Sequence, residues 1–273
     1  MMLQAVDVGK SYGREKVLSH VSLGIDQKEI LGIVGQSGCG KSTLARILCC
    51  YELPDEGKVL LRGKDTAHRP RNERQLFHKS CQLILQDSLS SMDPTMTIGD
   101  TLHETLKYNG CPDRARRQEK IEKYLDMMML TPELLTSFPA QLSGGERQRI
   151  SICRALLVEP ELLICDEITS SLDVITQFNL LSVLKDINRR TGLPLIFISH
   201  NINAVKSISD RILVMHGGTV TEELKKSEGF AGRDGYTKRL FESLPIDHPS
   251  KRQALARHFD EQLFKDDNHN NPQ

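Results

Sequence analysis

The chain of 273 residues is far longer than a single small core requires and suits one large α/β domain, alone or with an appendage. With 36 Lys and Arg against 36 Asp and Glu, no net field draws it to nucleic acid or an acidic membrane, so any such contact must be local. The longest apolar stretch, Ile47 to Tyr51, is far short of the roughly 20 residues that cross a bilayer. The opening residues lack the regions of a signal peptide, and seven cysteines without a C-x-x-C spacing argue against disulfides or structural zinc. The expectation is a cytosolic chain with reduced cysteines.

Glycine and charge punctuate short apolar runs between longer helical patterns, the alternation of an α/β protein with a mainly parallel sheet. Residues 1–85 open with short strands, Leu3–Val6 and Val21–Ile25, and then Glu29–Val34, an apolar strand running into a glycine-rich turn. A helix is predicted over Lys41–Cys50, with Leu44, Ile47 and Leu48 on one face. From about 88 to 150 the chain is rich in Lys, Arg, Glu, Met and Leu, with helical patterns around 113–130 and 146–158, and reads as a helical insertion. Strands return as Leu162–Cys165, Leu195–Ser199 and Ile212–Met215, apolar enough to be central and covered on both faces. After about Ser227 the pattern weakens, and the ending DDNHNNPQ reads as a solvated tail.

Gly35-Gln36-Ser37-Gly38-Cys39-Gly40-Lys41-Ser42 fits G-x-x-x-x-G-K-[ST], and it lies between a predicted strand and a helix that continues through Thr43. Its glycines let backbone N–H groups curl around phosphate oxygens, and the helix adds its positive end. Lys41 is expected on the β- and γ-phosphates and Ser42 on Mg²⁺, which makes the chain a binder of a nucleoside triphosphate. The strand Leu162–Cys165 runs into Asp166 and Glu167; side chains alternate along a strand, so one carboxylate can orient Mg²⁺ while the other faces water. Alone, such a pair is an ordinary strand end. Below a phosphate loop, Asp166 becomes the metal-side carboxylate and Glu167 the candidate general base. Between the two motifs, Leu142-Ser143-Gly144-Gly145-Glu146 precedes a strong helical pattern and offers a second anion site at a helix start.

With that segment the chain resembles the ATP-binding subunits of ABC transporters, whose signature LSGGQ stands here as LSGGE. The resemblance covers nearly the whole chain. It implies a P-loop NTPase core of ABC ATPase type over 1–226, with the helical signature subdomain inserted at about 88–150, and a C-terminal extension with a solvated tail over 227–273. It implies that Tyr12 stacks on adenine, that Gln86 contacts Mg²⁺ and the attacking water, that Ser171-Leu172-Asp173 crosses a dimer interface, and that His200 contacts the γ-phosphate. It also implies a head-to-tail pair of cassettes, in which Ser143 and the Gly144 and Gly145 amides of one close on the ATP held by the other. The partners implied are two transmembrane permease subunits, a second ATP-binding subunit, identical or related, and an extracytoplasmic substrate-binding protein, with the chain at the cytoplasmic face of the cell membrane. Two departures, Glu146 for the signature glutamine and Ile168 for the usual proline after the carboxylates, remove no group that touches phosphate and are expected to be tolerated.

Residues 86–99, beginning Gln86-Asp87-Ser88 and containing Asp93-Pro94, resemble ATPases of peptide, nickel and metal-chelate importers, with Asp93 in place of the usual Asn. Gly235-Tyr236-Thr237-Lys238-Arg239-Leu240 and Ser243-Leu244-Pro245 resemble that subfamily's C-terminal extension, and the lack of cysteine beyond Cys165 predicts no iron–sulfur cluster there. By that resemblance Ile168 and Gln86-Asp87-Ser88 lean toward a nickel or metal-chelate cargo, while the ending Tyr236-Thr237 and Ser243-Leu244-Pro245 pulls toward a di- or oligopeptide importer, so metal is favoured only slightly over the peptide alternative. A soluble ABC protein acting on nucleic acid or ribosomes is the reading of another class, disfavoured by a single cassette without sustained heptads. A regulatory ATP binder without turnover is disfavoured by Lys41, Asp166, Glu167 and His200 occurring together. The basic residues Arg114, Arg116, Arg117, Lys120 and Lys123 alternate with acids and read as a solvated helix face, so no nucleic-acid partner is expected. Met127–Met129 read as packing, and His248, His258 and His269 as solvent-exposed.

Overall fold

The computed structural model describes residues 1–67, 71–85, 92–170 and 172–242, the side chains of 71–75 excepted. The chain opens with a hairpin of β1 (Leu3–Tyr12) and β2 (Glu15–Ile25), then β3 (Ile30–Gly35), α1 (Lys41–Leu48), β4 (Glu56–Leu61), β5 (Lys64–Asp65), α2 (Arg71–Ser80) and β6 (Cys81–Ile84). Three helices follow, α3 (Ile98–Tyr108), α4 (Arg114–Met127) and α5 (Gly144–Leu157). The rest alternates: β7 (Leu162–Asp166), α6 (Val174–Thr191), β8 (Leu195–Ile198), α7 (Ile202–Ile208), β9 (Arg211–His216), β10 (Thr219–Lys225) and α8 (Gly235–Glu242).

Two sheets result. The larger has the order β10-β9-β3-β8-β7-β6 and is parallel except for β10. Every residue of β3, β7 and β8 is buried, as the unbroken apolar runs require. Alternation along β7 divides the core, because Leu163 and Cys165 face the cluster of α5, α6 and α7 while Leu162 and Ile164 face α1 and the smaller sheet. Leu44, Ile47 and Leu48 of α1 are fully buried there, each contributing about 1.5–3 kcal/mol of hydrophobic stabilisation. The smaller sheet, β2-β1-β4-β5, is wholly antiparallel and departs from the expectation of a mainly parallel architecture. Strands β4 and β5 carry Glu56, Lys58, Lys64 and Asp65 exposed to water, so no long apolar run marks them.

The helical insertion occupies α3 to α5, but α5 runs on to Leu157 and buries Ile152, Cys153, Leu156 and Leu157 in the main core. In α4 only Ile121 and Leu125 are buried, which fits a solvated basic face. Met128 is buried while Met129 is 73% exposed, so the methionine run serves packing with part of its length. All seven cysteines are free thiols. Among the described residues no helix is long and apolar enough to cross a membrane. Residues 228–242 are better packed than their weak pattern suggests, since Phe230 and Thr237 are buried and Tyr236, Leu240 and Phe241 pack on the core. His248, His258, His269 and Ser243-Leu244-Pro245 lie outside the described residues.

Candidate functional site

Strand register builds the site. Ile198 of β8 pairs with Ile33 of β3 on one side and with Asp166 of β7 on the other, so the carboxyl ends of three parallel strands finish at one level. Ligands of open α/β sheets bind at that edge. There the loop 35–40 joins β3 to α1, whose N-cap Gly40 has φ 96 and no side chain capping the helix, leaving its first N–H groups for an anion. A side chain at Gly40 would be strained at that φ and would meet Leu18 and the Val17 carbonyl at 2.6 and 2.9 Å.

A cleft of about 380 Å³ opens over this helix end, lined by Val17, Ser37, Gly38, Gly40, Lys41, Ser42, Thr43, Glu167 and His200. The Lys41 ammonium donates to the carbonyls of Gly35 at 2.9 Å and Gln36 at 2.8 Å, within the loop itself. Cys39 is buried beside it, and burial pushes its thiol up. His200 Nδ1 lies 2.8 Å from Glu167 Oε2. Glu167 is held in the left-handed region, φ 53, with its amide donating to the Ile198 carbonyl at 3.0 Å, and this turns its carboxylate away from the strand into the cleft. Such strain at a non-glycine residue is characteristic of functional positions.

Asp166, one residue earlier, is 4% exposed, with the Ser42 hydroxyl near enough to favour its ionised form. Burial pushes its carboxyl above the usual range, and its Oδ1 has no hydrogen-bond partner among the described residues. An orphaned, buried carboxylate oxygen beside a hydroxyl fits a divalent cation, which would remove the cost of charge there. Gln86 lies outside the described residues.

The turn expected as a second anion site is a capped helix start. Ser143 caps α5, its hydroxyl donating to Glu146 Oε2 at 2.7 Å while the Ser143 amide donates to the same oxygen at 2.8 Å. Those bonds, the Ser143 hydroxyl first, hold the Glu146 carboxyl below its ordinary range. Glu146 thus performs the reach-back bond of a capping box, a local reason why the departure from glutamine is compatible with the turn. Gly145 has no room for a side chain, since a Cβ would sit 2.8 Å from Thr176 at the start of α6. Asp173 caps α6, accepting the Ile175 and Thr176 amides at 3.0 Å, and the Thr176 hydroxyl leads in lowering its carboxyl. Ser171 lies outside the described residues. Ile168 is buried in the core.

The structure therefore brings Ser37, Gly38, Gly40, Lys41, Ser42, Thr43, Glu167 and His200 to one cleft, with Asp166 buried against Ser42. The described residues lining the cleft do not include Tyr12, Ser143, Gly144, Gly145 or Asp173. Tyr12, 45% exposed near the hairpin tip, places its hydroxyl on Glu52, which also pairs with Arg46 at 2.7 Å. Val17 was not legible as a wall residue, because β2 is brought to the loop by tertiary packing against Gly40.

A family model described as ABC transporter matches residues 18–170. The chain is 38% identical to a probable peptide ABC transporter ATP-binding protein of Sinorhizobium fredii, over 86% of this chain and 67% of that one. It is 40% identical to an oligopeptide transport ATP-binding protein of Haemophilus influenzae, over 86% and 71%. A dimeric bacterial ABC transporter cassette superposes with a TM-score of 0.75 at 28% identity, over 85% of this chain and 100% of that one. A post-hydrolysis state of that cassette, bound to ADP and Pi, gives 0.74 at 28% identity with the same coverage.

Proposed function

The chain belongs to the ABC transporter family as an ATP-hydrolysing, ATP-binding subunit of the peptide importer type, and from that membership we propose that it powers uptake of peptides or oligopeptides. The observation that carries the catalytic part is the convergence of the phosphate loop, the buried Asp166 and the Glu167–His200 pair on one strand edge. Relatives named for peptide transport favour the peptide alternative over nickel or a metal-chelate, the cargo toward which Ile168, a buried core side chain, had leaned.

ATP binds with its phosphates over the α1 N-terminus, and Lys41 turns from the loop carbonyls to the β- and γ-oxygens. Ser42 and Asp166 are the residues that would hold Mg²⁺, with Gln86 as a third contact, and the ion when bound neutralises phosphate charge. Glu167 accepts the proton of the attacking water, while His200 fixes the carboxylate that receives it and faces the γ-phosphate. Tyr12 is the adenine contact, reached across the hairpin tip.

Ser143, Gly144 and Gly145 stand away from the chain's own cleft, which supports closure on the nucleotide of a second cassette, identical or related, with the Asp173 turn at the junction. The exposed apolar residues Val174, Ile175 and Phe178 on the first turns of α6 continue that surface. In a Glu167→Gln background MgATP should drive association. Adding Ser143→Arg should weaken it roughly tenfold or more, since a misfit in a packed interface costs about 1–3 kcal/mol, without changing nucleotide affinity of the monomer. Size-exclusion chromatography with and without MgATP checks this, and undiminished association would overturn the sandwich.

A groove of about 340 Å³ where β6 meets α5 is lined by Tyr51, Leu83, Leu85 and Arg154 and supports contact with a helix of a permease. Two permease subunits and an extracytoplasmic binding protein complete the system, with this chain at the cytoplasmic face of the membrane. Deleting the gene tests the cargo: the expected result is new resistance to a toxic peptide with normal accumulation of radioactive nickel. Lost nickel uptake with unchanged peptide sensitivity would reverse the assignment and leave the ATPase chemistry untouched.

A further inference from the structure

We infer that Tyr236, on the C-terminal helix α8, is a positioning residue for the phosphate loop, so that the helix after β10 is part of the nucleotide machinery. The amide of Gln36, the second residue of the loop, donates to the Tyr236 hydroxyl at 3.2 Å across 200 residues of sequence. The carbonyl of the same residue accepts the Lys41 ammonium at 2.8 Å and the Cys39 amide at 3.3 Å. Gln36 is therefore held at both its amide and its carbonyl. When Lys41 moves to the phosphates its bond to the Gln36 carbonyl is given up, and the tethers left on that residue are the Cys39 amide and the Tyr236 hydroxyl.

Tyr236 is itself held from several directions. Its ring lies 4.0 Å, centroid to centroid, from the ring of His216, the residue after Met215, which pairs with Gly35 in the sheet. Asp234 caps the helix by accepting the amides of Tyr236 at 2.8 Å and Thr237 at 3.3 Å, and Glu222 of β10 accepts those of Arg233 and Asp234 at 2.6 and 3.3 Å. Thr237 is fully buried, and the Lys206 ammonium sits 3.8 Å over the Phe241 ring. Burial pushes the Tyr236 phenol up, so it remains a neutral hydroxyl. A division at 226/227 would separate this hydroxyl from the loop it serves.

The inference rests on nucleotide binding at the phosphate loop and not on the cargo. Tyr236→Phe keeps the ring and removes only the hydroxyl. In the full chain, calorimetry should show MgATP affinity falling about 3- to 10-fold, the range of one hydrogen bond, with the melting temperature of the nucleotide-free protein little changed. In the assembled transporter KM for ATP should rise by a similar factor while kcat stays within about twofold, the signature of lost binding rather than lost chemistry. Lys238→Ala, on the exposed face of the same helix, should leave affinity as it is. Wild-type affinity and KM in Tyr236→Phe, or a fall in kcat at unchanged KM, would overturn the assignment, as would an equal loss of affinity in Lys238→Ala.

Discussion

Glu167→Gln should bind MgATP as the wild type does and turn it over at least about 100-fold more slowly, the usual consequence of losing a general base. The substitution keeps the shape of the side chain and an oxygen or amide within reach of His200 Nδ1, so the left-handed turn after β7 and the 2.8 Å contact have little reason to change. What disappears is the ability to take a proton from water in the cleft. Calorimetry for binding and phosphate release from the assembled complex for turnover separate the two effects, and hydrolysis at the wild-type rate would end the assignment of Glu167. The same variant should accumulate the ATP-bound closed pair, because chemistry no longer dissolves it.

The parts of this site that were legible in the sequence are those in which local chemistry and local structure coincide. Gly35–Ser42 names its own turn, and the unbroken apolar runs of β3, β7 and β8 announce strands covered on both faces, with Asp166 and Glu167 at the end of one of them. The register that sets Asp166 and Ile33 opposite Ile198 is a tertiary fact, and with it comes the meeting of Glu167 and His200, 33 residues apart. The antiparallel sheet was missed because β4 and β5 are short and partly wet, so alternation is weak. Val17 and Tyr236 escaped for another reason: each reaches the loop from a distant element, and neither residue type at its position carries a signal of that contact. The adenine role expected of Tyr12 came from resemblance, as did those expected of Gln86 and Ser171 outside the described residues, and the structure places the hydroxyl of Tyr12 on Glu52. Cargo was least legible because the motifs that line the cleft are read through phosphate chemistry, which says nothing of a transported molecule.

Lys41→Ala should abolish tight nucleotide binding, raising the MgATP dissociation constant about 100-fold or more, because the phosphates lose the cation at the head of α1 and Lys-to-phosphate bonds are charge-assisted. The free chain also depends on this side chain. Lys41 is 6% exposed and donates to two loop carbonyls, so its loss leaves the Gly35 oxygen and part of the Gln36 oxygen without their donor, at a cost of about 1–3 kcal/mol. The two consequences separate by measurement. Calorimetry reads affinity, and thermal melting without nucleotide reads the loop; a modest loss in melting beside a complete loss of binding is the expected pattern. Tyr236→Phe differs in kind, since it leaves the cation in place and removes only the tether on Gln36, so its affinity should lie between those of the wild type and Lys41→Ala. An Lys41→Ala protein that bound MgATP within about threefold of the wild type, a difference under 1 kcal/mol, would show that the loop amides and Mg²⁺ hold the phosphates without Lys41.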